Sequence, residues 1–220
     1  MMWRGWKTAY RIALLILLMF TGCAAPPQEA PPPVNSAPPT LRDDFDPPYT
    51  AWVRFDTEGG AVYALQGELY LEDRGQGIAV YTPLMKEQYR DVTVSVQMRH
   101  VQGAINNWMG VMCRQQDEEN YYLFAISADG YYLILRVEDG EPTPLTGPQA
   151  SDVILTGRAA NTLEARCRGT SLSLRVNDTL LVTRVDDALS AEGYVGLFAD
   201  AVGRGQTTTV AFDNFTLTVP

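Results

Sequence analysis

Few side chains in this sequence could carry out chemistry, and their types and spacing limit what that chemistry is. His100 is the only histidine in the 220 residues. A multi-histidine metal site is therefore ruled out, and any Ser-His-Asp triad would have to use this one imidazole. No serine stands in a nucleophile-elbow pattern, so His100 reads as a residue at the end of a strand. The acids cluster as Asp117-Glu118-Glu119 and Glu138-Asp139. Both clusters fall at turns rather than at the alternating in-sheet positions that would hold two carboxylates across a glycosidic bond. Ordinary glycan hydrolysis is thus disfavoured, and no catalytic residue is assigned.

Binding is better supplied. The stretch from Asn106 to Tyr132 mixes aromatic rings with planar polar groups, the material from which sugar sites are built. The candidate ligand-binding residues are Trp108, Arg114, Gln116, Asn120, Tyr122 and Tyr132, with Arg136 on a neighbouring strand. Strand residues two apart share a face, which groups Arg114 and Gln116 with Met112, and Tyr122 with Phe124. Packing competes as an explanation. Tyr121-Tyr122 and Tyr131-Tyr132 lie in adjacent strands, so one of each pair should face the core and the other outward.

These residues need strands to position them, and the sequence is rich in strand patterns. Val92–Met98, Leu172–Val176 and Val210–Val219 alternate apolar and polar with period two. Further strands are expected near 51–55, 61–65, 68–72, 77–82, 107–114, 121–127, 131–137, 162–167, 180–185 and 193–199. Asp129-Gly130, Asp139-Gly140 and Asn177-Asp178 supply the positive backbone angles of tight hairpins. The segment 141–149, EPTPLTGPQ, reads as a surface loop because of its three prolines. No stretch sustains a helical period, so the fold class is all-β, with two antiparallel sheets face to face. Cys113 and Cys167 both fall in such strands, and in an oxidising compartment they are expected to form a disulfide.

The N-terminus points to that compartment. Three positive charges precede nine consecutive apolar residues, Ile12–Phe20, a run too short for a permanent span but suited to a signal peptide. The junction Phe20-Thr21-Gly22-Cys23 resembles the bacterial lipobox, with Phe20 where leucine is usual. The resemblance implies that residues 1–22 are removed and that Cys23 is lipidated. Residues 23–40, dense in proline and alanine, read as a semi-extended tether. The folded domain is expected over 41–220. Processing takes away three of the 17 basic side chains and none of the 26 acidic ones, so the formal charge moves from −9 to −12. Such a chain lacks the positive footprint that nucleic acid requires. It also lacks a polybasic grip on anionic lipid.

Several segments together carry a family resemblance. They include Leu41–Asp46, Met109–Arg114, Asn120–Phe124, Ile126–Tyr132, Gly193–Ala199 and Val210–Phe215. Taken together they resemble the concanavalin A-like lectin/glucanase superfamily, in the branch of laminin-G-type and DUF1080 (3-keto-disaccharide hydrolase-like) domains. The resemblance implies a jelly roll, which serves sugar binding, polysaccharide cleavage and adhesion alike. Calcium is common in laminin-G-like relatives, and Asp43, Asp44, Asp46, Asp200 and Asp213 offer oxygen ligands. No calcium-loop pattern is present, so no cofactor is assigned and calcium stays an option. The leading expectation is a non-catalytic lipoprotein domain that binds a glycan or another envelope component from the extracytoplasmic face of a bacterial membrane. A protein-binding adhesion module comes second, and a glycoside hydrolase third.

Overall fold

A computed structural model describes residues 40–48 and 52–220. The expected signal peptide, Cys23 and nearly all of the expected tether lie outside the described residues. In chain order the strands begin with β1 Thr40–Asp43, β2 Phe55–Asp56, β3 Gly60–Leu65, β4 Glu68–Asp73 and β5 Val80–Pro83. Next come β6 Val92–Gly103, β7 Trp108–Gln115, β8 Tyr121–Ser127, β9 Tyr131–Glu138 and β10 Glu141–Ala150. The last five are β11 Asn161–Arg168, β12 Ser171–Val176, β13 Thr179–Val185, β14 Tyr194–Asp200 and β15 Thr208–Thr218. Among the described residues there is no helix.

The strands form two antiparallel sheets. One has nine strands in the order β13-β12-β11-β6-β15-β4-β3-β2, with β1 also paired to β15. The other has six, in the order β10-β9-β8-β7-β14-β5. The all-β, two-sheet architecture follows from the alternation in the sequence. In β6, Val92, Val94, Val96 and Met98 are buried while the residues between them are not. β11 does the same with Leu163, Ala165 and Cys167. These rows meet Val111, Phe124, Ile126 and Ile134 from the six-stranded sheet in one core. Phe45, Phe212 and Phe215 close it at the terminal strands, where the Trp52 ring meets Phe215 edge-on at 5.0 Å. The indole N–H of Trp52 donates to Asp43 at 2.8 Å.

The hairpin signals are realised. Asp139 and Gly140 both take positive φ between β9 and β10, and Asn177 and Asp178 do so between β12 and β13. Two expectations need correction. Residues 141–149 form an edge strand rather than a loop. Proline is compatible with an edge because one side of the strand has no ladder to supply, and β10 keeps its pairing to β9 through two register shifts. Near 51–55, the described chain makes only an isolated bridge, Trp52 to Leu84, before β2 starts at Phe55.

Cys113 and Cys167 are disulfide-bonded, joining β7 of one sheet to β11 of the other. The six-stranded sheet also differs from its partner in a way that matters for function. β7 and β8 are buried on both faces almost throughout. The six-stranded sheet therefore carries a second apolar layer on its outward side.

Candidate functional site

The outward layer consists of Met112, Leu123, Ala125, Leu133 and Phe198, with Ala79, Tyr81, Trp108, Tyr121 and Leu135 packed against it. Register explains the arrangement. Phe198 pairs with Tyr81 on one side and with Gly110 on the other, Gly110 pairs with Ala125, and Ala125 pairs with Leu133. Gly196, Met112, Leu123 and Leu135 form the next row. The middle of the face is thus floored by Gly110, Ala125 and Gly196. A Cβ on Gly110 would stand 2.2 Å from the Phe124 carbonyl oxygen, so only glycine fits there. Tyr81, Trp108 and Tyr121, each partly exposed, pack against this layer, whose own residues Met112, Leu123, Ala125, Leu133 and Phe198 are buried.

Polar atoms mark the margin. Asp200 is the cross-strand partner of Trp108, and both line a pocket of about 490 Å³ with Gln76, Gly77, Val202 and Arg204. Burial, reinforced by the nearby Asp73 carboxylate, lifts the Asp200 pKa to about 6. Asp73 itself accepts the backbone N–H groups of Gly75 and Ala201, which fixes the loop beside the pocket. Asn107 pins the same loop by donating to Thr207 O and accepting from Val202 N–H. Burial, and then Glu118, push the Tyr81 hydroxyl up to about 12. Burial and Asp200 also raise Tyr121. Gln115 is 4% exposed, and its amide oxygen has no hydrogen-bond partner among the described residues. That oxygen lies 3.3 Å from where a Gly196 Cβ would stand, on the outward face.

Of the residues expected from sequence, Trp108 belongs to this face. Arg114 does not. It takes φ +50°, and the register against β14 slips there, so that Met112 faces Gly196 while Gln115 faces Tyr194. The bulge breaks the two-residue alternation and turns Arg114 inward, away from Met112. Its guanidinium, 1% exposed, donates to Arg90 O at 2.8 Å, Leu189 O at 3.1 Å and Gly169 O at 2.6 Å, and pairs with Asp91 at 3.4 Å. Burial lowers its pKa, with Tyr122 and Asp91 opposing.

Tyr122 is also internal. Its hydroxyl donates to Asp186 at 2.5 Å and accepts from Leu189 N–H, and Arg136 pairs with the other Asp186 oxygen at 2.8 Å. Arg114, Tyr122 and Arg136 are therefore brought together, but as a clamp at one end of the sandwich. Tyr132 is buried and donates to Gln149 on β10. Asn120 ties the β7–β8 turn to Asp117 and accepts from Asp139 N–H. Gln116 is exposed at that turn. Of each tyrosine pair, the outward member is the one on the face or its flank, Tyr121 and Tyr131.

His100 is buried, with Nε2 3.1 Å from Gly103 O, and burial lowers its pKa. Among the acids weighed for calcium, Asp43 accepts from Phe45 N–H and from Trp52. Asp213 has a raised pKa, chiefly from burial, with Glu68, Asp44 and Asp46 adding to it. No group of three or more His, Cys, Asp or Glu side chains among the described residues is placed to hold a metal ion.

The architecture has close counterparts among solved structures. A carbohydrate binding module, CBM66 from Bacillus subtilis, superposes with a TM-score of 0.62 at 18% identity, covering 77% of this chain and 96% of that one. The fold is a jelly roll. The Bacillus licheniformis beta-glucanase matches with a TM-score of 0.59 at 12% identity, over 82% of this chain and 98% of the enzyme. The Bacteroides ovatus xyloglucan protein GH43B matches at 0.59 and 18% identity, over 81% of this chain but only 39% of its own. No protein-family model matches the sequence, and no curated protein matches it. At these identities the likeness is one of fold.

Proposed function

We propose that this jelly roll binds a glycan on the outward face of its six-stranded sheet. The observation that carries the reading is the pairing of Trp108 with Asp200 in a pocket on that face, beside a buried apolar layer against which Tyr81 and Tyr121 pack. An indole packs against the C–H face of a pyranose, and a carboxylate beside it accepts from ring hydroxyls. The structural neighbours, a carbohydrate binding module and a beta-glucanase, support the class of ligand. Asp200 is the one carboxylate lining the Trp108 pocket, and a glycoside hydrolase would need a second across the bond, so the reading is of a binding domain.

The finer placement belongs to the same proposal: the laminin-G-type branch, lipid attachment at Cys23, and residence on the extracytoplasmic face of a bacterial membrane. The lipobox-like Thr21-Gly22-Cys23 and the following proline-rich segment support it. A glycan-array scan with and without calcium tests the function. The expected result is a reproducible hit weakened at least about tenfold by Trp108→Ala and by Asp200→Asn. A blank on a broad array, or a hit indifferent to both substitutions, would sink the reading.

A further inference from the structure

The nine-stranded sheet carries a different kind of surface. On its outward side, β11 presents Glu164, Arg166 and Arg168, β12 presents Ser171, Ser173 and Arg175, and the edge strand β13 adds Thr183. Register aligns Arg166 with Ser173 and Arg168 with Ser171, and Ser173 with Thr183. Together with Asp178 and Leu180 these residues line a shallow hollow of about 580 Å³.

The charges in it are unequally satisfied. Two acids line the hollow: Glu164, 3.7 Å from Arg175, and Asp178, whose backbone O accepts from Arg175 at 2.5 Å, so Arg175 is matched. Arg166 and Arg168 are exposed, and neither pairs with an acid among the described residues. Two arginines two residues apart on one strand stand about 7 Å apart and repel each other. In a chain of formal charge −9, leaving both unmatched next to three hydroxyl side chains fits an anion supplied from outside.

We infer that Arg166 and Arg168, with Ser171, Ser173 and Thr183, form an anion-binding site for an acidic polysaccharide, taking its carboxylate or sulfate groups. Guanidinium pairs such oxyanions in a fork geometry, and the serine and threonine hydroxyls serve the neighbouring sugar hydroxyls. A bilayer is the weaker occupant. Two basic side chains near an anionic leaflet contribute about 1 kcal/mol each, too little for stable attachment, whereas a single sugar carboxylate or sulfate can be held in the fork of both guanidiniums. The site lies on the opposite sheet from Trp108 and does not rest on the reading of that face.

The test is titration of the full chain with de-esterified polygalacturonate oligomers and with their fully methyl-esterified counterparts. Phosphatidylglycerol vesicles are run in parallel. Saturable binding of the acidic form alone is expected, weakening with salt and falling at least about tenfold in R166Q/R168Q. The charge-matched K86Q/R158Q variant and Trp108→Ala are expected to keep it. Equal binding of acidic and esterified oligomers, no binding, or loss of binding in Trp108→Ala overturns the inference. Vesicle binding that depends on Arg166 and Arg168 without glycan binding overturns it in favour of a membrane contact.

Discussion

Replacing Arg114 by methionine should cost this domain much of its stability without touching a ligand face. The guanidinium joins three chain segments by donating to the carbonyls of Arg90, Gly169 and Leu189, and it lies 6.0 Å from the centre of the Tyr122 ring. Methionine keeps the apolar stem and removes every donor. The three carbonyls then lose their partner inside the protein, and the Tyr122 ring loses the cation beside it, while Arg136 still pairs with Asp186. Breaking a buried charged arrangement by removing one partner costs about 3–5 kcal/mol. For a domain of this size that is a fall in Tm of roughly 6–20 °C. Lysine should rescue only part of the loss, since one ammonium cannot span three divergent carbonyls. Urea denaturation of the full chain gives the midpoint and slope, with Gln116→Ala as an exposed control expected within about 0.5 kcal/mol of the parent. A methionine variant within 1 kcal/mol of the parent would refute the clamp. If that variant also stayed folded but lost glycan, Arg114 would have to be returned to a ligand-binding role.

Three further outcomes follow from the same structure. Asp200 holds its proton to about pH 6 in the fold but releases it near 3.8 when unfolded. The native state therefore binds more protons in that interval, and stability falls as pH rises from about 4 through 6. Asp200→Asn should stabilise the domain by roughly 2–3 kcal/mol at pH 7.5 and leave it unchanged at pH 4, measured by thermal melts at both values. Replacing both Cys113 and Cys167 by alanine opens a link across 54 residues, for a loss of about 4 kcal/mol by chain entropy, read from denaturant midpoints. Gly110→Ala forces a Cβ to 2.2 Å from Phe124 O, and should cost more than about 2 kcal/mol in the same assay.

Alternation made the nine-stranded sheet legible in the sequence, because β6, β11 and β12 each bury one side only. The hairpins at Asp139-Gly140 and Asn177-Asp178 were legible for a local reason, the side-chain preference for positive φ. The candidate site was harder to read. Its central strands, Trp108–Gln115 and Tyr121–Ser127, run nearly continuously apolar, which is the mark of burial on both faces rather than of one buried and one open. The two-residue alternation applied to these strands did not separate an open face from a covered one. Which tyrosine of each pair faces outward depended on register, and the two-residue rule failed at Arg114 because a bulge interrupts it. Asp200 carried no motif. Only the cross-strand pairing with Trp108, some ninety residues away in sequence, distinguishes it from a solvated acid.

The two borders of the six-stranded sheet share a property with consequences for how these molecules tolerate crowding. β10 carries Pro142, Pro144 and Pro148, and β5 ends on Pro83. Each proline withholds the N–H that an incoming strand would need, so neither margin offers an uninterrupted ladder for a neighbour to zip onto. Sheets that end this way resist fusing into continuous ribbons even when copies are packed side by side. An apolar face can thus be kept for a ligand without the same sheet becoming a seed for fibrils.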